Sequence, residues 1–185
     1  MVVLLNALEA HVGRFGSLEA IVETKGEILD DLTASDTAVI NADQAHYSAW
    51  QLRAAPARII SFGESSTADV QLMNLIDRGF DGSDITVDAM GTEISLRLSI
   101  PGKGGVTNAL AATAAAMALD IDVSVIAQGI EALSPVEGRG NTLHLDKGIR
   151  LIDESYNASP SSVMAALDSL TVSYTHLTLP TINWV

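Results

Sequence analysis

Three short, unbroken apolar runs constrain the fold of this chain more than any other feature. They are "VVLLN" (Val2 to Asn6), "AVINAD" (Ala38 to Asp43) and "RIISFG" (Arg58 to Gly63). A strand with one wet face alternates apolar and polar residues. An unbroken run of this length is instead the pattern of a strand covered on both faces, as in a parallel sheet. A helix separates the first run from the second. Ser17 is a good helix-capping residue. After it, Leu18, Ile21, Val22, Ile28, Leu29 and Leu32 span an arc of about 120°, at roughly 100° per residue. Glu19, Glu23, Glu27 and Asp30 lie on the opposite face. Strands alternating with helices define the α/β class. The first run begins almost at the first residue. A central strand needs neighbours, so the pattern predicts a chain that starts inside a fold.

The character then changes. "DITVDAMGTEISLRLSI" (Asp84 to Ile100) holds two alternating runs that meet near Met90-Gly91, the pattern of a β-hairpin. "PGKGG" (Pro101 to Gly105) reads as a glycine-rich loop feeding a helix from about Val106 to Leu119. A second helix follows over Val123 to Leu133. "SPVEGRGN" (Ser134 to Asn141) has the composition of a linker. "TLHLDKGIRLID" reads as two short strands around a Lys147-Gly148 turn, and a last helix opens near Pro160, a residue suited to a first helical turn. Residues 171–185, "TVSYTHLTLPTINWV", hold no Asp, Glu, Lys or Arg and read as a non-native tail, outside the fold.

Composition removes several classes of function. The net charge of −13 argues against binding nucleic acid or an anionic membrane non-specifically, which takes basic surface. With no cysteine there is no disulfide, thiolate nucleophile or cysteine zinc site, which suits a cytoplasmic setting. The apolar start is too short for a signal peptide. The Ala-rich run from Ala109 to Leu119 is too short to span a bilayer.

Lys25 falls near the middle of the apolar arc, although the chain has only ten basic residues. One reading is that it snorkels, laying its methylenes on the core while its ammonium reaches water. The other is that it lines a site. A buried amine is pushed toward its neutral form, and a neutral amine can add carbon dioxide to become a carbamate, an anion able to hold Mg²⁺ through oxygen. His11 lies in the loop between the first strand and this helix, where α/β sheets place their ligands. On these residues alone both readings stay open. So does the non-catalytic alternative, an α/β nucleotide-binding module in which "PGKGG" merely connects two elements. The chain has no G-x-x-x-x-G-K-[ST] phosphate loop.

The stretch "NALEAHVGRFGSLEAIVETKGEI" (Asn6 to Ile28) resembles the Mur ligase signature of Asn, Ala-His, Phe-Gly-Ser and Lys-Gly-Glu-Ile. "VINAD" (Val39 to Asp43), "PG…TNALAA" (Pro101 to Ala112), Gly138-Arg139 and "LIDESYNASPSSVMAAL" (Leu151 to Leu167) follow in the family's order. Gly104-Gly105 replaces a His-Asn pair common in the family, and Ser159 replaces an Asn.

The resemblance implies a piece of a central ATPase domain over residues 1–140: a mostly parallel sheet with flanking helices and a β-hairpin subdomain. Residues 141–170 would be the first elements of a Rossmann-like C-terminal domain. It implies that Lys25 is carbamylated and that His11 and the carbamate share a Mg²⁺. Asn108 would contact adenine, Arg139 the nucleotide phosphates or ribose, and Asp153 the ribose hydroxyls. The implied reaction is ATP-dependent amide formation through an acyl phosphate, joining D-alanyl-D-alanine to a UDP-N-acetylmuramoyl-tripeptide for peptidoglycan in the bacterial cytoplasm. Other Mur ligases and folylpolyglutamate synthase-like ligases share the core. The family's phosphate loop lies upstream of its equivalent of the first strand, which implies that these 185 residues alone do not turn over. The full-length enzyme would be a monomer.

Overall fold

The computed structural model describes residues 1–9, 12–156 and 160–173. The three apolar runs are strands β1 (Val2–Leu4), β2 (Thr37–Asn41) and β3 (Arg58–Gly63), lying side by side and parallel, with Val3 level with Val39 and Val39 level with Ile60. β4 (Val70–Asp77) continues the parallel set, and β5 (Ser83–Ala89) and β6 (Thr92–Leu98) add antiparallel to it. Spatial order follows chain order. The hairpin turn falls at Met90 and Gly91, both at positive φ. The pattern of "VQLMNLID" hid β4. The strand carries a register shift between Leu72 and Asn74 and leaves Met73 and Ile76 exposed, so neither alternation nor a covered run appears.

Helices cover the sheet on both faces. They are α1 (Val12–Phe15), α2 (Leu18–Gly26), α3 (Tyr47–Ala54), α4 (Gly102–Ala118), α5 (Val123–Glu131) and α6 (Pro160–Ser173). Because side chains alternate along a strand, β2 feeds two cores. Ala38 and Ile40 pack with Ile21, Leu29, Trp50 and Ala54 on one side. Val39 joins Ile60, Phe62, Val87, Leu110 and Ala114 on the other. β5 buries every second residue, as a sheet with one wet face should.

β1 is the edge strand of the described sheet, pairs only with β2, and leaves Val3 exposed, as is Leu5 just after it. The helix after it is shorter than its apolar stripe. Ser17 caps it as expected, its Oγ accepting from the Ala20 amide at 3.2 Å. It ends at Gly26, packed so tightly under Trp50 and Arg53 that a Cβ there would meet Arg53 Nη1 at 2.8 Å. A 3₁₀ turn over Glu27–Leu29 then buries Leu29 and turns Ile28 outward.

"PGKGG" is not a loop. α4 begins at Gly102, capped by Pro101, so Lys103 to Gly105 form its first turn and Asn108 lies one turn further in. The two short strands near residue 147 are β7 (Asn141–His144) and β8 (Arg150–Asp153), which pair antiparallel. α6 lies against α4 and against a 3₁₀ turn at Gly79–Asp81, and it runs to Ser173, into the segment read as a foreign tail. Among the described residues, no helix is long and apolar enough to cross a membrane.

Candidate functional site

Among the described residues, a cavity of about 630 Å³ opens at the carboxyl ends of β1 and β2, where open parallel sheets bind ligands. That volume suits a small-molecule site. Asn6 follows β1, and Asn41 ends β2. Ile21, Thr24 and Lys25 come from α2, Phe15 from α1, Gln44 from the turn before α3, and Lys103, Gly104 and Thr107 from α4. The signature residues Asn6, Phe15 and Lys25 thus share one wall.

Lys25 is not the buried amine that its place in the arc predicts. It is exposed at the cavity wall, and its Nζ donates to the Asn6 carbonyl at 2.7 Å. The same side chain borders a second, shallower cavity beside β1, lined also by Val3, Leu5 and Ile28. Lys25 follows Ile21 by one helical turn and so stays on the inward stripe, but it stands where the covered sheet has given way to the pocket. Burial therefore supplies no special reactivity, and any carbamate chemistry rests on the pocket. His11 lies outside the described residues.

Mg²⁺ does not fit this wall while Lys25 is an amine. Among the described residues no group of three His, Cys, Asp or Glu could hold a metal. The described cavity lining includes no carboxylate. A carbamate on Lys25 would supply one.

The three residues implied for nucleotide binding fall in two places near the start of α4. Arg139 and Asp153 belong to one cluster. An Asp153 carboxylate oxygen accepts from the Gly138 amide at 3.1 Å, and the other accepts from the Ser155 amide at 3.0 Å. The Arg139 guanidinium lies 4.0 Å over the Tyr156 ring. The Ser155 hydroxyl and amide, with the Gly138 amide, hold Asp153 below the ordinary carboxylate range. Partial burial, and then the Asp153 charge, pushes Glu154 up. Gly140, at φ 73°, packs so closely that a Cβ would meet Pro101 Cγ at 2.7 Å, which holds the cluster against the α4 cap. Asn108 is exposed at a different, small cavity of about 50 Å³ lined by Leu98, Ile100, Ile130 and Leu133.

Residue-level reading missed Asn41, Gln44 and Lys103. The first two looked like the tail of a strand and the start of a loop, and Lys103 looked like part of a connector. The "VINAD" match pointed at the right turn without singling out a side chain.

The comparisons agree with this architecture. The Mur ligase middle domain matches residues 1–116. The chain is 36% identical to the UDP-N-acetylmuramoyl-tripeptide–D-alanyl-D-alanine ligase of Haemophilus influenzae, over 89% of this chain and 35% of that protein. It is 30% identical to the UDP-N-acetylmuramate–L-alanine ligase of Streptomyces avermitilis, over 91% and 36%. Among solved structures it matches MurF from Acinetobacter baumannii with a TM-score of 0.86 at 28% identity, covering 92% of this chain and 37% of that one. It also matches the MurF ligase from Thermotoga maritima in complex with ADP, with a TM-score of 0.76 at 26% identity, over 92% and 39%. The fold is thus that of an α/β ligase middle domain. The chain belongs to the Mur ligase family, and it spans about a third of the length of the relatives it matches.

Proposed function

We propose that the chain is part of an ATP-dependent ligase that joins D-alanyl-D-alanine to UDP-N-acetylmuramoyl-tripeptide in peptidoglycan precursor synthesis. The carrying observation is that Asn6, Phe15 and Lys25, separated in sequence, meet on one cavity at the carboxyl ends of β1 and β2. The 36% identity to a ligase of that name supports this substrate pair over others in the family.

In the proposed reaction the γ-phosphoryl group of ATP passes to the peptide's terminal carboxylate. The amine of D-alanyl-D-alanine then attacks the carbonyl carbon, phosphate leaves with its C–O bond pair, and the amine gives up a proton. Catalysis of this kind is mostly positioning and charge stabilisation. Asn108, Arg139 and Asp153 are proposed for the nucleotide: Arg139 as a fixed cation on Tyr156, Asp153 as an acceptor kept ionised by its own loop. Lys25, through a carbamate, and His11 are proposed as the metal-side pair. Mg²⁺, when bound, would neutralise charge on the phosphates. Residues 1–140 are proposed as central-domain sequence, 141–170 as the start of the next domain and 171–185 as foreign to it. The cytoplasm is the proposed setting and a monomer the proposed full-length state. Turnover is proposed for the whole ligase, not for these 185 residues alone.

Amide NMR spectra of the chain test the nucleotide assignment and register weak binding. Titration with ADP should shift Gly138 to Gly140, Asp153 to Tyr156 and Lys103 to Asn108, and leave the Met90-Gly91 turn unmoved. Asp153→Ala should abolish the shifts. No shift at either group, or equal shifts in Asp153→Ala, would overturn the reading.

A further inference from the structure

The wall of the main cavity is largely apolar, and several of its polar residues present donors. Asn41 is only 4% exposed. Its Oδ1 accepts from the Asp43 amide at 2.9 Å, which fixes the flip of the side-chain amide, since only oxygen can accept there. Its Nδ2 then has no protein partner among the described residues, and Asn41 lines the cavity. Gln44 repeats the arrangement. Its Oε1 accepts from the Ala7 amide at 3.1 Å, and its Nε2 is left to the same cavity. Lys103, from the first turn of α4, and Lys25 add ammonium groups. They are two of only three lysines in the chain. No Asp or Glu occurs in the described lining, although the chain has 23 of them.

Such a set is matched to one class of ligand. Both amide NH₂ groups reach the open cavity rather than being sealed in the core, so a ligand or water can meet them there. Donors and cations lining one cavity without a carboxylate suit an oxyanion. A chain of net charge −13 repels anions at long range, so an anion held here must be held by local groups. We propose that Asn41, Gln44 and Lys103 form a binding site for a tetrahedral phosphate oxyanion, the phosphoryl group in transit between nucleotide and substrate carboxylate. The identity of that group rests on the proposed ligase reading; the oxyanion site itself does not. Asn41 and Gln44 are anchored by backbone amides from the turns after β2 and β1, so each acts as a preset donor. Lys103 supplies charge from α4.

The test is a titration with inorganic phosphate in carbon dioxide-free buffer, which keeps Lys25 an amine, with acetate as the comparison. The side-chain NH₂ resonances of Asn41 and Gln44 report directly. Both should shift with phosphate, and phosphate should bind at least tenfold more tightly than acetate. Asn41→Asp keeps the acceptor for Asp43 but replaces the donor with an anion, and should weaken phosphate at least tenfold. Lys103→Gln should weaken it severalfold. Unmoved NH₂ resonances, acetate binding as tightly as phosphate, or undiminished binding by a folded Asn41→Asp variant would overturn the inference. The ADP-induced shifts around Asp153 are a separate readout. If they fail while phosphate still binds at Asn41, the ligase reading falls and the oxyanion site stands.

Discussion

Lys25 shows how a residue can be read rightly for its direction and wrongly for its surroundings. Its helical phase points inward, as the apolar stripe predicts. Sequence periodicity carries no information on where the covered sheet ends, and Lys25 lies past that end, tied to the Asn6 carbonyl rather than buried. The carbamate proposal therefore makes a test at the level of one nitrogen. A neutral lysine nitrogen forms an N–C bond to CO₂, the carbonyl π pair moves to oxygen, and one proton goes to solvent. With ¹³C-bicarbonate, a carbamate carbon resonance is expected in the chain and lost in Lys25→Ala. Its absence from the unaltered chain, or its survival in the variant, counts against carbamylation at this residue. Asn41 is the complementary case. A strand-end asparagine looks ordinary until its oxygen is seen to be taken by Asp43.

At the scale of elements, local chemistry was legible wherever it was self-contained. Ser17 caps α2, and Met90-Gly91 turns the hairpin. Lys147-Gly148 turns β7 into β8, and Pro160 opens α6. The misjudged boundaries are those set by neighbours. α2 stops where Trp50 and Arg53 press on Gly26, and α4 takes in glycines that a propensity argument assigns to a loop. Two glycines test this division. Gly91 sits at φ 91° with open space where a Cβ would stand, no atom lying within 4 Å, so Gly91→Ala meets only backbone strain. It should cost about 1 kcal/mol. Gly104 is helical with the same open space, so Gly104→Ala should stabilise by about 0.5–1 kcal/mol. Urea unfolding of both variants checks the pair. Changes of the same sign would refute the distinction.

For the whole molecule, acidity sets the response to pH. Asp30, beside Arg53, Asp84, beside Arg78, and Asp36, Asp122 and Asp153, bonded to Thr33, Ser124 and Ser155, are all held below the ordinary value of 3.8. Below that value the unfolded chain binds more protons than the folded one. The stability these groups lend is complete above 3.8 and is lost as pH falls through their lower folded values. Glu154, pushed up, acts with the opposite sign at higher pH. The urea midpoint is expected to fall as pH drops below 3.8, beyond the sequence pI of about 4.4, where the repulsion of excess carboxylates no longer operates. A midpoint that stays flat or rises there would show that these contacts do not survive in solution. The sequence by itself determined the α/β class, the three parallel strands, the hairpin and the ordered family signature, because periodicity, caps and turns are written within a few residues of one another. Tertiary structure alone decided that α2 ends at Gly26, that α6 lies on α4, and that Asn41, Gln44 and Lys103 face one cavity. Each of those depends on which surfaces meet across the fold, and on which hydrogen-bonding atoms are already taken when they do.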